Sequence, residues 1–460
     1  MTGQHMLEGH QSEEASVTHP TVSFADLVRV FGRIGILSFG GPAGQIALMH
    51  KMLVDERRWL DEARFLHALN YCMLLPGPEA MQLATYAGWL LHGVRGGLAA
   101  GLLFVLPGAV VLTALSALYL LLGDVPLVAG LLFGLKAAVL AVVLEALVRV
   151  SRRALKSGFM VAIAVAAFAG IALLKLPFPL IILAAALIGA ALAWTGTGMQ
   201  GSVPTDPADV AVEVPLAEWT RPSFGRFLRT SVIWLAIWLV PLAALYLLLG
   251  PANVFSAEAR FFSIMATVTF GGAYAVLAYV AQQAVEIYGW LRPDEMLTGL
   301  GLAETTPGPL ILVLVFVGFL GGARLSGLEP IAGGLAGAAV TLWFTFVPCF
   351  LWIFAGAPYV ETVRNVRWLS SALAGVTAAV VGVIANLALW FGLHVLFASV
   401  GEMRLGPLGV PIPEIATFDP ASALIAVAAG IALLRFHVNL FAVLGAAALA
   451  GMAALLFGWA

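Results

Sequence analysis

The stretch Phe31–Gln45 reads FGRIGILSFGGPAGQ. Its Phe39-Gly40-Gly41 core returns 231 positions later as Phe270-Gly271-Gly272. At the same spacing Trp59-Leu60 returns as Trp290-Leu291, and Pro76-Gly77-Pro78 as Pro307-Gly308-Pro309. Glycine and proline normally punctuate loops. Here they interrupt long apolar stretches, and lipid tolerates irregular backbone only where protein or a water-filled cavity surrounds it. A duplicated chain with helix breaks at matching positions is the sequence signature of a secondary transporter.

The composition sets the class. The 460 residues are 61% hydrophobic and only 10% charged, with a mean hydropathy of +1.00. A soluble domain carries about 25% charged residues, so this is an all-α polytopic membrane protein whose first partner is the lipid bilayer. A net charge of −2 argues against nucleic acid. Cys72 and Cys349 lie in separate apolar segments and read as buried free thiols, not as a metal site or a disulfide. No metal and no other cofactor is expected.

Residues 1–22 are polar and lack an apolar core, which predicts a disordered tail, histidines included, and no cleavable signal peptide. The first transport repeat spans 23–195, a polar linker 196–228, a connecting transmembrane span 229–250, and the second repeat 251–460. After the breaks the repeat shifts by ten residues: Pro107 pairs with Pro348, Gly134 with Gly375 and Glu145 with Asn386.

In each copy the first two apolar segments are broken near the middle. The halves of 12–15 residues are too short to cross about 30 Å of hydrocarbon. Two readings compete, a kinked span and a re-entrant hairpin, and the positive-inside rule favours hairpins. With the N-terminus cytoplasmic and both segments returning to their own side, Lys51, Arg57, Arg58, Arg64, Arg149, Arg152, Arg153 and Lys156 all fall inside. The number of crossings between the copies is odd on either reading, so the two halves form inverted repeats, each with about four full spans beside its broken helices. Trp59 and Trp290 read as interfacial aromatic anchors.

These residues resemble the chromate ion transporter family in its two-domain form. The resemblance rests on Phe31–Gln45, Leu75–Gln82 (LPGPEAMQ) and Leu302–Leu310 (LAETTPGPL), and covers essentially residues 24–460. It implies an exporter of chromate, driven by the proton motive force, in a bacterial inner membrane. Copy two departs from the fuller pattern: Pro42 and Gln45 become Ala273 and Val276, and Glu79 becomes Leu310. The halves are therefore not chemically equivalent. Composition and spacing alone reach an inverted-repeat transporter of an anion.

Chromate is a tetrahedral dianion like sulfate. Holding it needs donors without much permanent positive charge in lipid, and helix N-termini supply them. The candidate substrate-binding residues are Gly40, Gly41, Pro42, Gly44, Gln45, Pro76, Gly77, Pro78 and Gln82, with Gly271, Gly272, Pro307, Gly308 and Pro309 in copy two. Lys136, mid-span, is a candidate fixed positive charge. Glu79 directly follows a break and is the candidate proton-coupling group; Glu304, three residues before the other break, is its mirrored counterpart. The bland alternatives stay open: packing kinks for the breaks, and a helix-start acid for Glu79.

Sulfate or another inorganic anion, moved by a transporter or channel, is the alternative substrate reading. A homodimer also stays open. An enzyme is not expected: the chain lacks the H-E-x-x-H and G-x-S-x-G signatures, and it has no nucleotide-binding G-x-x-x-x-G-K-[ST] loop. Single cysteines introduced into 51–64 and 284–294 should label from opposite sides of the membrane. Labelling from one side would sink the inverted arrangement.

Overall fold

The computed structural model describes residues 22–194, 218–270, 273–359, 367–406 and 408–458. Residues 1–21 of the expected tail, 196–217 of the expected linker, and Gly271 and Gly272 lie outside them.

Helix α1 (Phe24–Leu37) opens at Ser23, whose hydroxyl accepts from the Asp26 amide at 3.0 Å, and stops at Ser38. Gly40 and Gly41 then take φ of +83° and +71°, which side-chain-bearing residues rarely adopt. Helix α2 (Gly41–His50) restarts the chain with Pro42 in its first turn, where a missing amide costs nothing, and ends in a π-helical turn, Lys51–Glu56. Helix α3 (Glu62–Cys72) leads into Pro76-Gly77-Pro78, and α4 (Glu79–Leu122) follows. Helix α4 is interrupted at His92 and Gly93, so a half-helix precedes a full span. Helices α5 (Pro126–Ala154), α6 (Gly158–Ala172) and α7 (Phe178–Trp194) complete the copy.

Helix α8 (Phe224–Leu249) connects the copies, beginning inside the stretch read as linker. Copy two then repeats the plan. Helices α9 (Val254–Val268), α10 (Ala273–Ala281) and a second π-helical turn, Gln282–Ile287, precede α11 (Pro293–Glu304), α12 (Val313–Leu325) and α13 (Pro330–Gly356). Helix α14 (Arg367–Leu396), the antiparallel hairpin β1 (Val400–Leu405) and β2 (Leu408–Pro413), α15 (Pro420–Leu434) and α16 (Leu440–Leu456) finish it. Among the described residues five helices are long and apolar enough to cross a membrane: Glu79–Leu122, Pro126–Ala154, Phe224–Leu249, Pro330–Tyr359 and Trp368–Leu396. The chain is an all-α polytopic membrane protein.

The broken segments are hairpins. Arg324, at the end of α12, clasps Glu295, in the first turn of α11, at 2.6 and 2.7 Å. A continuous helix over that segment would hold the two about 44 Å apart. Tyr71 and Tyr86, on either side of the first Pro-Gly-Pro break, have ring centroids 5.8 Å apart, against about 22 Å in a straight helix. Phe261 touches Tyr288 and Trp290 across the other glycine break. Trp290 is therefore no interfacial anchor. It is 2% exposed and stacks on Tyr288 at 4.4 Å, because the returning arm of the hairpin folds it inward.

The long helices pack across the duplication. Helix α5 lies against α15 and α16 of the other copy, and α14 against α6 and α7 of the first. Glycine permits the approach: a Cβ on Gly134 would sit 1.8 Å from the Ala447 carbonyl oxygen, and one on Gly375 2.4 Å from that of Ala185. These glycines occupy equivalent places in the two copies.

Gly134→Ala should thus force α5 and α16 apart and lower the Tm in detergent, with a cost of about 1–3 kcal/mol or more. Gly445→Ala, where a Cβ meets nothing within 4 Å, should leave the Tm unchanged or raise it. Equal Tm values for the two variants would refute the close packing.

Candidate functional site

The four breaks meet pairwise. The Gly77 amide donates to the Thr269 carbonyl at 2.8 Å, and the Gly308 amide donates to the Ser38 carbonyl at 2.7 Å. Ser38 and Thr269 are equivalent positions, and so are Gly77 and Gly308. Each Pro-Gly-Pro break of one copy therefore hands its central amide to the residue preceding the glycine break of the other. The receiving residues match in detail: the Ser38 hydroxyl donates to the Ile34 carbonyl at 2.7 Å, and the Thr269 hydroxyl to that of Met265 at 2.6 Å. Gly77 and Gly308 sit at φ of +120° and +92°, the backbone that lets the chain turn back and present its amide outward.

Around this clasp lies a small cavity of about 20 Å³, lined by Pro42, Gln45, Pro78, Glu79 and Pro309, with Ala80, Leu310 and Ile311. The sequence had placed the first five of these at the site, from three separate breaks. Such a volume holds about one water. An ion with four oxygens around a central atom does not fit in that volume. A larger groove between α8 and α13 is lined only by apolar side chains, Leu245, Leu248, Val340 and Trp343 among them, and offers an anion nothing.

Gln45 is 1% exposed, and its amide nitrogen donates to the Gly308 carbonyl at 2.7 Å, a third bond across the duplication. Gly40 and Gly41 are open: a Cβ on either would meet nothing within 4 Å, so their backbone is accessible at the start of α2. Gly44 is tighter, with the Phe39 carbonyl oxygen 3.0 Å from its would-be Cβ. Gln82 is wholly buried and donates to the Pro76 carbonyl at 2.7 Å, bracing the break from within its own hairpin. Pro307 lies against α4, its carbonyl oxygen 2.0 Å from a Cβ built on Gly108.

The acids differ between the copies. Glu79 begins α4 at the cavity, and Arg153 at the end of α5 acts on it electrostatically. Glu304 is 6% exposed and accepts from the Tyr274 hydroxyl at 2.5 Å; Arg149 and Glu145, themselves 3.6 Å apart, act on this pair. Lys136 stands elsewhere. Its ammonium lies 3.8 Å from Asp294 at the start of α11, and it does not line the cavity. Its sequence neighbourhood gave no hint of Asp294, which arrives from another hairpin.

Three residues that now flank the site were read only as something else or not at all. Arg149 and Arg153 served as markers of sidedness, and Tyr274 drew no attention. Their signal is weak, because only the packing of α5 against copy two brings those arginines to the breaks. Cys72 and Cys349 are both free and buried, as expected. Cys349 touches the first Pro-Gly-Pro break, its sulfur 2.9 Å from a Cβ built on Gly77.

The fold and the site define a membrane transport protein built from two copies of one unit, closed around broken helices. A family model described as chromate transporter matches residues 25–190 and again 257–452, one match per copy. The chain belongs to the chromate transporter family. It is 30% identical to a chromate transport protein of Pseudomonas aeruginosa, over 79% of this chain and 80% of that one. It is 28% identical to a probable chromate transport protein of Synechococcus elongatus, over 90% and 96% of the respective chains. A chromate transport protein of Cupriavidus metallidurans is 26% identical over 80% of this chain and 82% of its own. No solved structure matches.

Gln45→Val gives copy one the residue that copy two carries there, and leaves the Gly308 carbonyl unpaired. A buried acceptor without its donor costs about 1–3 kcal/mol, so thermal unfolding in detergent should shift down by a few degrees. An unchanged Tm would mean the cross-copy bond contributes nothing.

Proposed function

We propose that the protein is a secondary active transporter that exports chromate from the cytoplasm of a bacterium, driven by the proton motive force across the inner membrane. The observation that carries this reading is the convergence of three breaks and Glu79 on one cavity, in a chain that belongs to the chromate transporter family. Opening the clasp widens that cavity. The freed amides at the start of α2 and at the Pro-Gly-Pro breaks then face the anion, and the partial positive charge of the helix ends balances part of its charge. Inverted repeats give the clasp two opposite ways to open, one toward each side of the membrane.

Arg149 and Arg153 act on the acids beside the site, and such positive charges draw a dianion toward it. Glu79 competes with the anion for the same helix terminus. In its charged form it repels the dianion. With a proton bound it admits the ion and donates a hydrogen bond. The proton and the dianion then cross together with one net negative charge, which the interior-negative potential of the proton motive force drives outward, and Glu304 with Tyr274 forms the corresponding acid in copy two. The alternative cargo is sulfate, which shares the geometry and charge of chromate.

The test uses purified protein in proteoliposomes, with chromate flux followed under an imposed proton gradient and with sulfate as competitor. Glu79→Gln should keep chromate exchange at equal pH and lose at least ten-fold of the gradient-driven flux. Gradient-driven export at the wild-type rate in that variant would remove Glu79 from the coupling step. Wild-type flux blocked by sulfate and silent for chromate would reassign the cargo.

A further inference from the structure

Glu258 lies in the second turn of α9 and is 0% exposed. Neither of its carboxyl oxygens has a hydrogen-bond partner among the described residues. Among the described residues no charged side chain lies close enough to balance it. The walls are glycine: a Cβ on Gly321 of α12 would come within 2.8 Å of the Glu258 Oε1, and one on Gly337 of α13 within 3.3 Å. An ionised carboxylate without partners is among the costliest groups to bury. The pocket suits the acid with its proton on.

Along the same face of α13, one helical turn apart, come Gly337, Thr341, Thr345 and Cys349. The hydroxyls of Thr341 and Thr345 are buried and likewise have no partner among the described residues. That is unusual within this molecule. Thr85, Thr113 and Thr377 each bond back to the carbonyl four residues earlier, at 2.9, 2.7 and 2.8 Å. The stripe ends at Cys349, beside Gly77 and Gln82, and the Gln82 side-chain oxygen is a further buried atom without a partner among the described residues. Glu79 follows two residues after Gly77.

Copy one supplies the control. At the places equivalent to Glu258, Gly337, Thr341, Thr345 and Cys349 it carries Leu27, Gly96, Ala100, Phe104 and Gly108. The same helices pack there without a polar side chain, so packing does not require the polar ones in copy two. Buried polar atoms almost always find partners, and each exception asks for a reason.

We propose that Glu258, Thr341, Thr345 and Cys349 line a proton path that runs along α13 from the α9 end of copy two to Glu79 at the anion site, with the Gln82 side-chain oxygen accepting from the water that carries the proton past it. The inference rests on the proton-coupled reading above and names the route by which the proton arrives. From Gly337 to Cys349 the path covers about 18 Å, in steps of about 6 Å, each bridged by a water between neighbouring groups. Glu258 takes up the proton at the far end, and the hydroxyls, each both donor and acceptor, pass it on. The duplication thus keeps a dry half and a proton-conducting half.

The experiment compares Glu258→Gln, Thr345→Val and Glu258→Leu, the last copying the residue of copy one, in full-length protein in proteoliposomes. Two readouts are taken: chromate exchange at equal pH, and gradient-driven chromate flux with the accompanying lumenal pH change. All three variants should keep exchange within two-fold of wild type while losing ten-fold or more of the gradient-driven flux and of the pH change. Full gradient-driven flux in Glu258→Gln or Thr345→Val would overturn the path. Parallel loss of exchange and coupled flux in every variant would overturn it too, because that is the mark of a packing role. Coupling that follows sodium instead of protons in the wild type would assign Glu258 to another ion. If wild-type protein exchanges no chromate at all, the proposed cargo fails, and the same variants with sulfate as cargo must then lose the lumenal pH change ten-fold or the path fails as well.

Discussion

Two backbone hydrogen bonds, from Gly77 to Thr269 and from Gly308 to Ser38, hold the centre of this molecule. Everything about the breaks follows from them. A chain that interrupts a helix in lipid leaves amides and carbonyls without partners, each costing several kcal/mol. Here each copy's break satisfies the other's, so neither could exist alone at that depth. The constraint explains why glycine stands at the centre of both Pro-Gly-Pro motifs. The amide must point outward from a positive-φ turn, and a side chain at Gly77 would strike Cys349 and Gln82. It explains equally why a serine or threonine precedes each glycine break. The hydroxyl ties off the preceding helix while the main-chain carbonyl stays free to receive the partner.

On that shared frame the two copies carry different chemistry. Glu79 faces the cavity where copy two has Leu310, and Glu304 with Tyr274 stands where copy one has Met73 and Ala43. At the start of the second hairpin the charges are exchanged outright. Asp61 caps copy one and accepts from the Arg64 amide, whereas in copy two Arg292 occupies the cap and its amide donates to Glu295. The helix start is satisfied either way, because a carboxylate is present at one end of the turn or the other. Scaffold positions are thus held by backbone geometry, and side chains are free to diverge.

The breaks, the duplication and the hairpins were legible because glycine and proline act locally, and because charge bias reports sidedness over short loops. Five residues of the cavity lining could be named for the same reason. Lys136 and Trp290 were misplaced for a common cause. Hydropathy says that a side chain lies in an apolar segment and is silent on the direction it faces, so Asp294 beside Lys136 and the aromatic cluster around Trp290 were invisible. Arg149 and Arg153 were hidden by their own second use as topology markers. Glu258 escaped because it lies near the start of a segment, where an acid looks like a helix-start residue. Only the glycine walls of α12 and α13 show it to be enclosed.

The crossed packing of α5 and α14 bears on how the protein is made. Helix α5 leaves the ribosome long before α15 and α16, the helices it must cover, and synthesis of the intervening chain takes on the order of 15–60 s. During that interval the glycine face at Gly134 has only lipid against it, and the first break lacks the amide of Gly308. The first copy therefore waits in the membrane half-assembled. A ribosome that stalls or a protease that cuts between the copies leaves an orphan whose breaks lack their backbone partners. Carrying both halves in one chain fixes their ratio at one to one and spares each copy the search for its partner.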